Sequence, residues 1–201
     1  PAMLDAAPDV APAPALVSSL VHALGVDGAV RLPPLVSDAV LRDMQQAFAG
    51  RLRYMRWNNC DGYERGERMR LTVQDVLTLA QGFVDLAVHP LLKAVLHECL
   101  GTSWSLCEAK GWKSLPTKRD FHGWHGDMWY DQTRITDRIP REVKLAFYLS
   151  DVTSGAFQYI KGSHGRTAPR HLARADVQSL PLERLEEFLG PAGTAVLFDT
   201  S

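Results

Sequence analysis

The sequence has 201 residues, 46% of them hydrophobic and 22% charged, with a formal net charge of -1. These values are typical of a soluble globular protein whose length suits one domain with a sizeable core. The small net charge gives no electrostatic basis for binding nucleic acid or an anionic membrane, and no apolar run is long enough to span a bilayer. We therefore expect neither kind of partner, and a cytoplasmic location is the default expectation.

Helical patterns follow an N-terminal arm. Residues 1–15 are rich in Ala and Pro and predict a flexible arm, so a single domain is expected over residues 16–201. Apolar residues recur at helical spacing over residues 16–25, and a short strand is expected at residues 28–32. Ser37 is a plausible N-cap for a second helix.

Two more helices are expected before the middle of the chain. Thr72 and Asp75 resemble a capping box, which predicts a helix over residues 72–84. Pro90 suits the first turn of another helix, and Gly101 is placed to end it.

Residues 51–70 combine arginines with aromatic residues. The arginines are Arg51, Arg53, Arg56, Arg65, Arg68 and Arg70, and the aromatic residues among them are Tyr54, Trp57 and Tyr63. Because Arg makes bidentate bonds to carboxylate and phosphate groups, this segment could form a lid over an anionic substrate. A surface loop with locally packed aromatic residues explains the same pattern, and the sequence leaves both interpretations open.

The period changes to that of strands in the second half. Alternating residues predict strands at 104–109, 143–151, 155–160 and 193–198. A short helical stretch is expected at residues 182–189. Helices first and strands later predict an α+β protein that is mainly β with N-terminal helices.

A His-x-Asp pair, His125 and Asp127, lies in the segment FHGWHGDMWY at residues 121–130. On an extended chain, residues two apart point the same way, so the imidazole and the carboxylate can meet at one metal ion. Two histidines and one carboxylate on one face, with other positions open, suit the non-haem Fe(II) oxygenases. The pair is therefore a candidate metal and catalytic site, although a His-x-Asp also arises by chance.

Four pieces of sequence place this pair in a longer pattern. They are WHGD at residues 124–127, VKLAFYLSDVT at 143–153, GSH at 162–164 and GTAVLFDT at 193–200. In this order they resemble the phytanoyl-CoA dioxygenase family, and the resemblance runs from about residue 16 to the end. It implies a double-stranded β-helix, a jelly-roll variant, backed by the N-terminal helices.

The resemblance also implies Fe(II) and 2-oxoglutarate as cofactors, with O2 and a small molecule as substrates. In that chemistry 2-oxoglutarate chelates the iron through its keto and carboxylate oxygens and is decarboxylated to succinate while the substrate is oxidised. His125 and Asp127 are the metal ligands that the family pattern assigns in this chain.

Two further residues of the family pattern are a second His ligand just after the FDT strand and an arginine for the far carboxylate of 2-oxoglutarate. Both are expected beyond Ser201, so the C-terminal part of the pattern is expected to be missing. Three other histidines are not predicted to ligate the metal. His164 belongs to the structural Gly-Ser-His turn and His171 to a polar loop, while His122 is out of phase with His125 on an extended chain.

Alternation along residues 143–151 identifies further pocket candidates. Lys144, Ala146 and Tyr148 share one strand face, and Lys144 and Tyr148 are the cofactor-binding candidates. A strand-edge lysine that reaches solvent is an equally good account of Lys144. Candidate walls of the substrate pocket, with core packing as the alternative, are Trp124, Trp129 and Tyr130.

These features predict an Fe(II)/2-oxoglutarate-dependent dioxygenase that hydroxylates or desaturates a small organic molecule. Two alternatives stay open: a catalytically silent β-helix scaffold or binding protein, and a cupin-like metal enzyme that does not use 2-oxoglutarate. Because Asp127 stands where iron halogenases leave a position for chloride, halogenation is not expected. The sequence names neither the substrate nor the oligomeric state.

Overall fold

A computed structural model describes residues 11–53, 70–114, 124–127, 141–165, 171–172 and 174–200. The helices are α1 (Pro14–Asp27), α2 (Asp38–Leu52), α3 (Gln81–Ala87), α4 (Pro90–Leu100) and α5 (Arg174–Gln178), with 3-10 turns at Val76–Thr78 and Leu182–Arg184. The strands are β1 (Ala29–Arg31), β2 (Arg70–Val73), β3 (Gly111–Ser114), β4 (Trp124–His125), β5 (Val143–Phe147), β6 (Gln158–Ile160), β7 (His171–Leu172), β8 (Leu185–Glu187) and β9 (Ala195–Asp199). The fold thus combines N-terminal helices with small sheets.

The ends of α1, α2 and α4 follow the chemistry of their terminal residues. Ser37 Oγ accepts a hydrogen bond from the Val40 N–H at 3.4 Å and caps α2. His89 Nδ1 accepts one from the Leu91 N–H at 3.2 Å just ahead of α4. Gly28 ends α1 in the left-handed region, with φ of 81°.

β9 is the central strand of an antiparallel sheet whose order is β1-β9-β5. Successive side chains along a strand point to opposite faces. Ala195 and Leu197 accordingly pack among the helices, whereas Val196 and Phe198 pack on the other face against the aromatic residues Tyr159, Phe188 and Phe157. The sheet therefore separates a helical core from a smaller aromatic core.

The helical core holds several fully buried side chains. Leu24 of α1, Met44 of α2 and Val95 of α4 each have 0% exposed surface. From β5, the core is joined by Val143, Leu145 and Phe147, which share one face as the sequence predicts. Lys144 and Ala146 alternate with them, so their positions fall on the face of the aromatic core.

The prediction of a helix over residues 72–84 is wrong. Residues 70–73 form β2, and α3 begins only at Gln81. β2 pairs with β3 along its whole length, and Thr72 and Val73 are buried there. Pairing with a strand distant in sequence therefore outweighs the local capping signal.

Asp75 binds a neighbouring helix instead of capping its own. Its Oδ2 lies 2.6 Å from Arg51 Nη2, and its side chain makes no cap bond to the 3-10 turn that follows. Arg51 belongs to α2, so this arginine lies on a helix. Arg70, at the other end of the proposed lid, lies in β2, and residues 54–69 lie outside the described residues.

Two more expectations in the second half are wrong. Residues 104–109 have irregular backbone, and the strand lies at β3 instead. The helical stretch expected at 182–189 is a 3-10 turn followed by β8, which pairs with β6. Leu182 is 86% exposed, so the leucine spacing in this segment does not mark a buried helix face.

The remaining strand pairs are short. β2 pairs with β3, β4 with β7 and β6 with β8. His171, expected in a polar loop, lies in β7 with its Cα opposite that of His125. Across the described ranges, no helix combines the length and the apolar composition that crossing a membrane requires.

Candidate functional site

His125 ends β4, and Asp127 follows it two residues later. The His125 Nε2 atom lies 3.3 Å from Asp127 Oδ1, and the two side chains are 25% and 24% exposed. The structure therefore brings the imidazole and the carboxylate together, as their spacing predicts. Both groups remain partly accessible, which a site that admits a cofactor and a substrate requires.

The second oxygen of the Asp127 carboxylate has a different partner. Lys144 Nζ, on β5, donates to Asp127 Oδ2 at 2.7 Å and also lies 3.2 Å from Glu142 Oε1. Burial by itself would lower the pKa of Lys144, but the bonds and charges of Asp127 and Glu142 outweigh it and raise that pKa above its ordinary value. Lys144 is therefore a cation held between two carboxylates.

The backbone of Asp127 is attached to the end of β9. The Asp127 N–H donates to the Thr200 carbonyl at 3.1 Å, and the Thr200 N–H donates to the Glu142 carbonyl at 2.9 Å. The Thr200 hydroxyl also donates to the Glu142 carbonyl, at 3.3 Å. The position of Asp127 is therefore set by β5 and β9 as well as by β4.

An ion pair that the sequence did not suggest holds the same end of β9 on the helical side. Arg141 Nε donates to Asp199 Oδ2 at 3.2 Å, and its Nη2 bonds the same oxygen. Arg141 Nη1 donates to the Cys99 carbonyl in the last turn of α4 at 3.1 Å. Asp199 is 2% exposed and Arg141 37%, so a buried carboxylate links the sheet to a helix C-terminus, where a cation is favourable.

Tyr159 completes the support of β9 from the aromatic core. Its hydroxyl donates to the Asp199 carbonyl at 2.7 Å. Burial, with the nearby charge of Asp199, raises the pKa of Tyr159 far above its ordinary value. The hydroxyl therefore stays protonated and keeps its donor role.

Tyr148 is hydrogen-bonded to a residue of the aromatic core, whereas Trp124 is the neighbour of His125 in the chain. The Tyr148 hydroxyl donates to the Phe188 carbonyl at 2.8 Å, and burial raises the pKa of Tyr148. Trp124 is half-buried and directly precedes His125. Trp129, Tyr130 and His122 lie outside the described residues.

His164 is placed as the structural turn requires. Its Nε2 lies 3.2 Å from the Gly25 carbonyl at the end of α1. The Gly-Ser-His turn therefore packs against the first helix.

The donor set of His125 and Asp127 fits a transition-metal ion. Two donor atoms at right angles around one ion, each about 2.1 Å away, are about 3.0 Å apart. The observed separation of 3.3 Å is close to this value. An imidazole nitrogen with a carboxylate oxygen is also part of the set that Fe(II) takes in oxygenases. Within the described ranges no group of three or more His, Cys, Asp or Glu side chains is arranged around one point.

Solved structures of two other proteins resemble this fold. HygX from Streptomyces hygroscopicus, with nickel, 2-oxoglutarate and hygromycin B bound, matches with a TM-score of 0.62 and 19% identity over 94% of this chain and 80% of its own. SnoN, a non-haem alpha-ketoglutarate-dependent epimerase from nogalamycin biosynthesis, matches with a TM-score of 0.64 and 15% identity over 94% of this chain and 73% of its own. A SnoN complex with Fe3+, alpha-ketoglutarate and nogalamycin RO matches with a TM-score of 0.60 and 19% identity, over 94% of this chain and 75% of that one. At such identities the likeness concerns the fold.

Sequence comparison identifies the family. No curated protein matches the chain. The family model described as Phytanoyl-CoA dioxygenase (PhyH) matches residues 25–201, which include the His-x-Asp pair and every strand of the sheet around β9. The resemblance seen in the sequence is thereby confirmed, and the chain belongs to the phytanoyl-CoA dioxygenase family.

Proposed function

We propose that this protein is an Fe(II)/2-oxoglutarate-dependent dioxygenase that hydroxylates or desaturates a small organic molecule. The observation that carries the proposal is the 3.3 Å approach of His125 Nε2 to Asp127 Oδ1, in a chain of this family. We further propose one oxygenase domain over residues 16–201 with a double-stranded β-helix core. The fold likeness to HygX and SnoN supports both statements.

His125 Nε2 and Asp127 Oδ1 would hold the iron. When bound, iron with 2-oxoglutarate and O2 supplies the oxidation of a substrate C–H bond, coupled to decarboxylation of 2-oxoglutarate to succinate. The chain itself orients these two donors. The carboxylate is fixed by Lys144 through Oδ2 and by Thr200 through the backbone N–H, so its donor oxygen is directed before any ion arrives.

The pocket around the iron would be built from residues of β4 and β5. Trp124, half-buried beside His125, is the proposed wall on that side. Lys144 and Tyr148 are the cofactor-binding candidates of the sequence. Each already has a hydrogen-bond acceptor in this structure, so Tyr148 would have to leave the Phe188 carbonyl to reach a cofactor.

Metal binding and succinate release test the proposal directly. The variants His125→Ala and Asp127→Ala should each lose more than about 100-fold in Fe(II)-dependent succinate formation. Loss of a group that only hydrogen-bonds a metal ligand typically costs about 10–100-fold, and loss of the ligand itself should cost more. The matched controls His22→Ala and Asp43→Ala remove the same residue types from exposed helix positions and should retain wild-type activity. Unchanged Fe(II) affinity in both ligand variants would contradict the assignment.

Epimerisation is a second candidate, because SnoN is an epimerase of similar fold. A hydroxylated product gains one oxygen, a desaturated product loses two hydrogens, and an epimer keeps the mass of the substrate. Mass analysis of products from a substrate screen therefore separates the reactions. Fe(II)-dependent turnover without succinate would favour the cupin-like alternative, and the absence of both metal binding and turnover would favour the silent scaffold.

A further inference from the structure

The carboxylate of Asp127 has its two oxygens assigned to different partners. Oδ1 faces His125 Nε2 at 3.3 Å, whereas Oδ2 accepts a hydrogen bond from Lys144 Nζ at 2.7 Å. The Asp127 N–H is held by the Thr200 carbonyl at 3.1 Å. With both its backbone and its outer oxygen fixed, the side chain presents one oxygen toward the histidine.

Lys144 is well placed to keep this arrangement. Its backbone lies in β5, paired with β9 opposite Phe198, and its ammonium group also lies 3.2 Å from Glu142 Oε1. An ammonium group is a donor only, so it can occupy a carboxylate oxygen but cannot itself bind a metal ion. Oδ2 is thus bonded to a group that excludes a cation from that oxygen.

The number of oxygens that Asp127 contributes matters for this chemistry. A carboxylate can bind a metal through one oxygen or through two. An oxygenase of this type must leave positions open for the two chelating oxygens of 2-oxoglutarate and for O2. A second Asp127 oxygen on the ion would take one of these positions.

We propose that Lys144 keeps Asp127 a one-oxygen metal ligand by occupying Oδ2, and thereby keeps a coordination position open for 2-oxoglutarate. The inference rests on the proposed function and adds a positioning residue to it. Lys144 acts through Asp127 in this account, in contrast to the direct contact with 2-oxoglutarate that the sequence suggested. The two roles predict different effects of removing Lys144 on the affinity for a metal ion in the absence of 2-oxoglutarate.

Removing Lys144 should strengthen binding of a metal ion alone. A cation bonded to the ligand carboxylate repels a divalent ion nearby, and this repulsion disappears with the lysine. The freed Oδ2 can then also bind the ion. Without the lysine the Asp127 side chain has more conformational freedom, and ordering it on the ion costs entropy. This cost is small because an aspartate side chain is short. Binding of 2-oxoglutarate should weaken, because Oδ2 now competes for its position.

The test uses the full-length protein under anaerobic conditions, with Co(II) as the probe and its visible spectrum as the readout. The variants are Lys144→Met, Lys144→Arg and, as the matched control, Lys93→Met, which removes a lysine from an exposed position of α4. We expect Lys144→Met to bind Co(II) alone about threefold or more tightly than the wild type and 2-oxoglutarate about tenfold more weakly. Lys144→Arg and Lys93→Met should stay within about twofold of the wild type in both constants.

Several outcomes would overturn the inference. Unchanged Co(II) affinity with weaker 2-oxoglutarate binding would assign Lys144 to direct cofactor contact. Weaker Co(II) binding, or no change in either constant, would equally refute it. Lys144→Leu replaces the methionine variant if that variant does not fold. If the wild type does not bind Co(II), the proposed function and this inference are refuted together. If the wild type binds Co(II) but the affinities of the variants differ from those expected, the inference alone is refuted.

Discussion

Gly28 is the position where one added methyl group should destabilise the fold most clearly. It ends α1 with φ of 81°, and its carbonyl accepts the Asp199 N–H at 2.8 Å. A Cβ added at Gly28 would lie 2.4 Å from both the Tyr159 hydroxyl oxygen and His164 Nδ1. Gly28→Ala therefore combines backbone strain with a steric clash.

The cost can be estimated from these two causes. The left-handed conformation costs a non-glycine residue about 1–2 kcal/mol, and overpacking typically adds about 1–3 kcal/mol. Neither neighbour can move without loss, because the Tyr159 hydroxyl is bonded to the Asp199 carbonyl and His164 Nε2 lies 3.2 Å from the Gly25 carbonyl. We expect a loss of about 2–5 kcal/mol in the free energy of unfolding.

Urea unfolding, followed by circular dichroism, measures this loss. The control is Gly25→Ala, three positions earlier in α1, where an added Cβ meets no heavy atom within 4 Å. That substitution should stabilise the protein by about 0.5–1 kcal/mol, because Ala is the better helix former. The reasoning would be refuted if Gly28→Ala were as stable as the wild type, or if both substitutions had the same sign.

Three further predictions concern the core, the buried ion pair and the reaction. Met44→Ala, at 0% exposure, should cost about 2–5 kcal/mol in urea unfolding, whereas Gln46→Ala, exposed on the same helix, should change stability by less than about 0.5 kcal/mol. Arg141→Met should lower the free energy of unfolding by about 2–4 kcal/mol, because it removes the arginine cation from the carboxylate of Asp199, which is 2% exposed. A smaller loss in an Asp199→Asn background would support this cause, and an equal loss would contradict it. With 2-oxoglutarate and saturating chloride, the wild type should give no chlorinated main product by mass spectrometry, since Asp127 would supply an anionic ligand to the iron; such a product would disprove the expectation.

Helices α2 and α4 were predictable because their signals are local. Ser37 is followed by an apolar stripe, and Pro90 and Gly101 bracket α4, so each helix carries its own start or end in sequence. The Thr72–Asp75 signal failed for the opposite reason. Its segment pairs with β3 about forty residues later, and no local pattern reports that partner.

The contacts of the candidate site also differ in whether the local sequence could predict them. The approach of His125 to Asp127 depends on residues two apart and was predictable from their spacing. The Lys144–Asp127 bond depends on the register of β5 with β9 and on the Thr200 carbonyl, which bring together residues seventeen apart in the chain. The alternation along β5 placed Lys144 on the correct face but could not identify its partner.

The central position of β9 makes its length more important than the identity of its side chains. A slip by one residue exchanges the two faces of a strand. Removing one residue from β9 would turn Asp199 away from Arg141 toward the aromatic core and would withdraw the Thr200 carbonyl from the Asp127 N–H. We therefore expect variants that exchange apolar residues within Ala195–Asp199 to fold and bind metal, and single-residue deletions there to lose metal binding even where the helices persist.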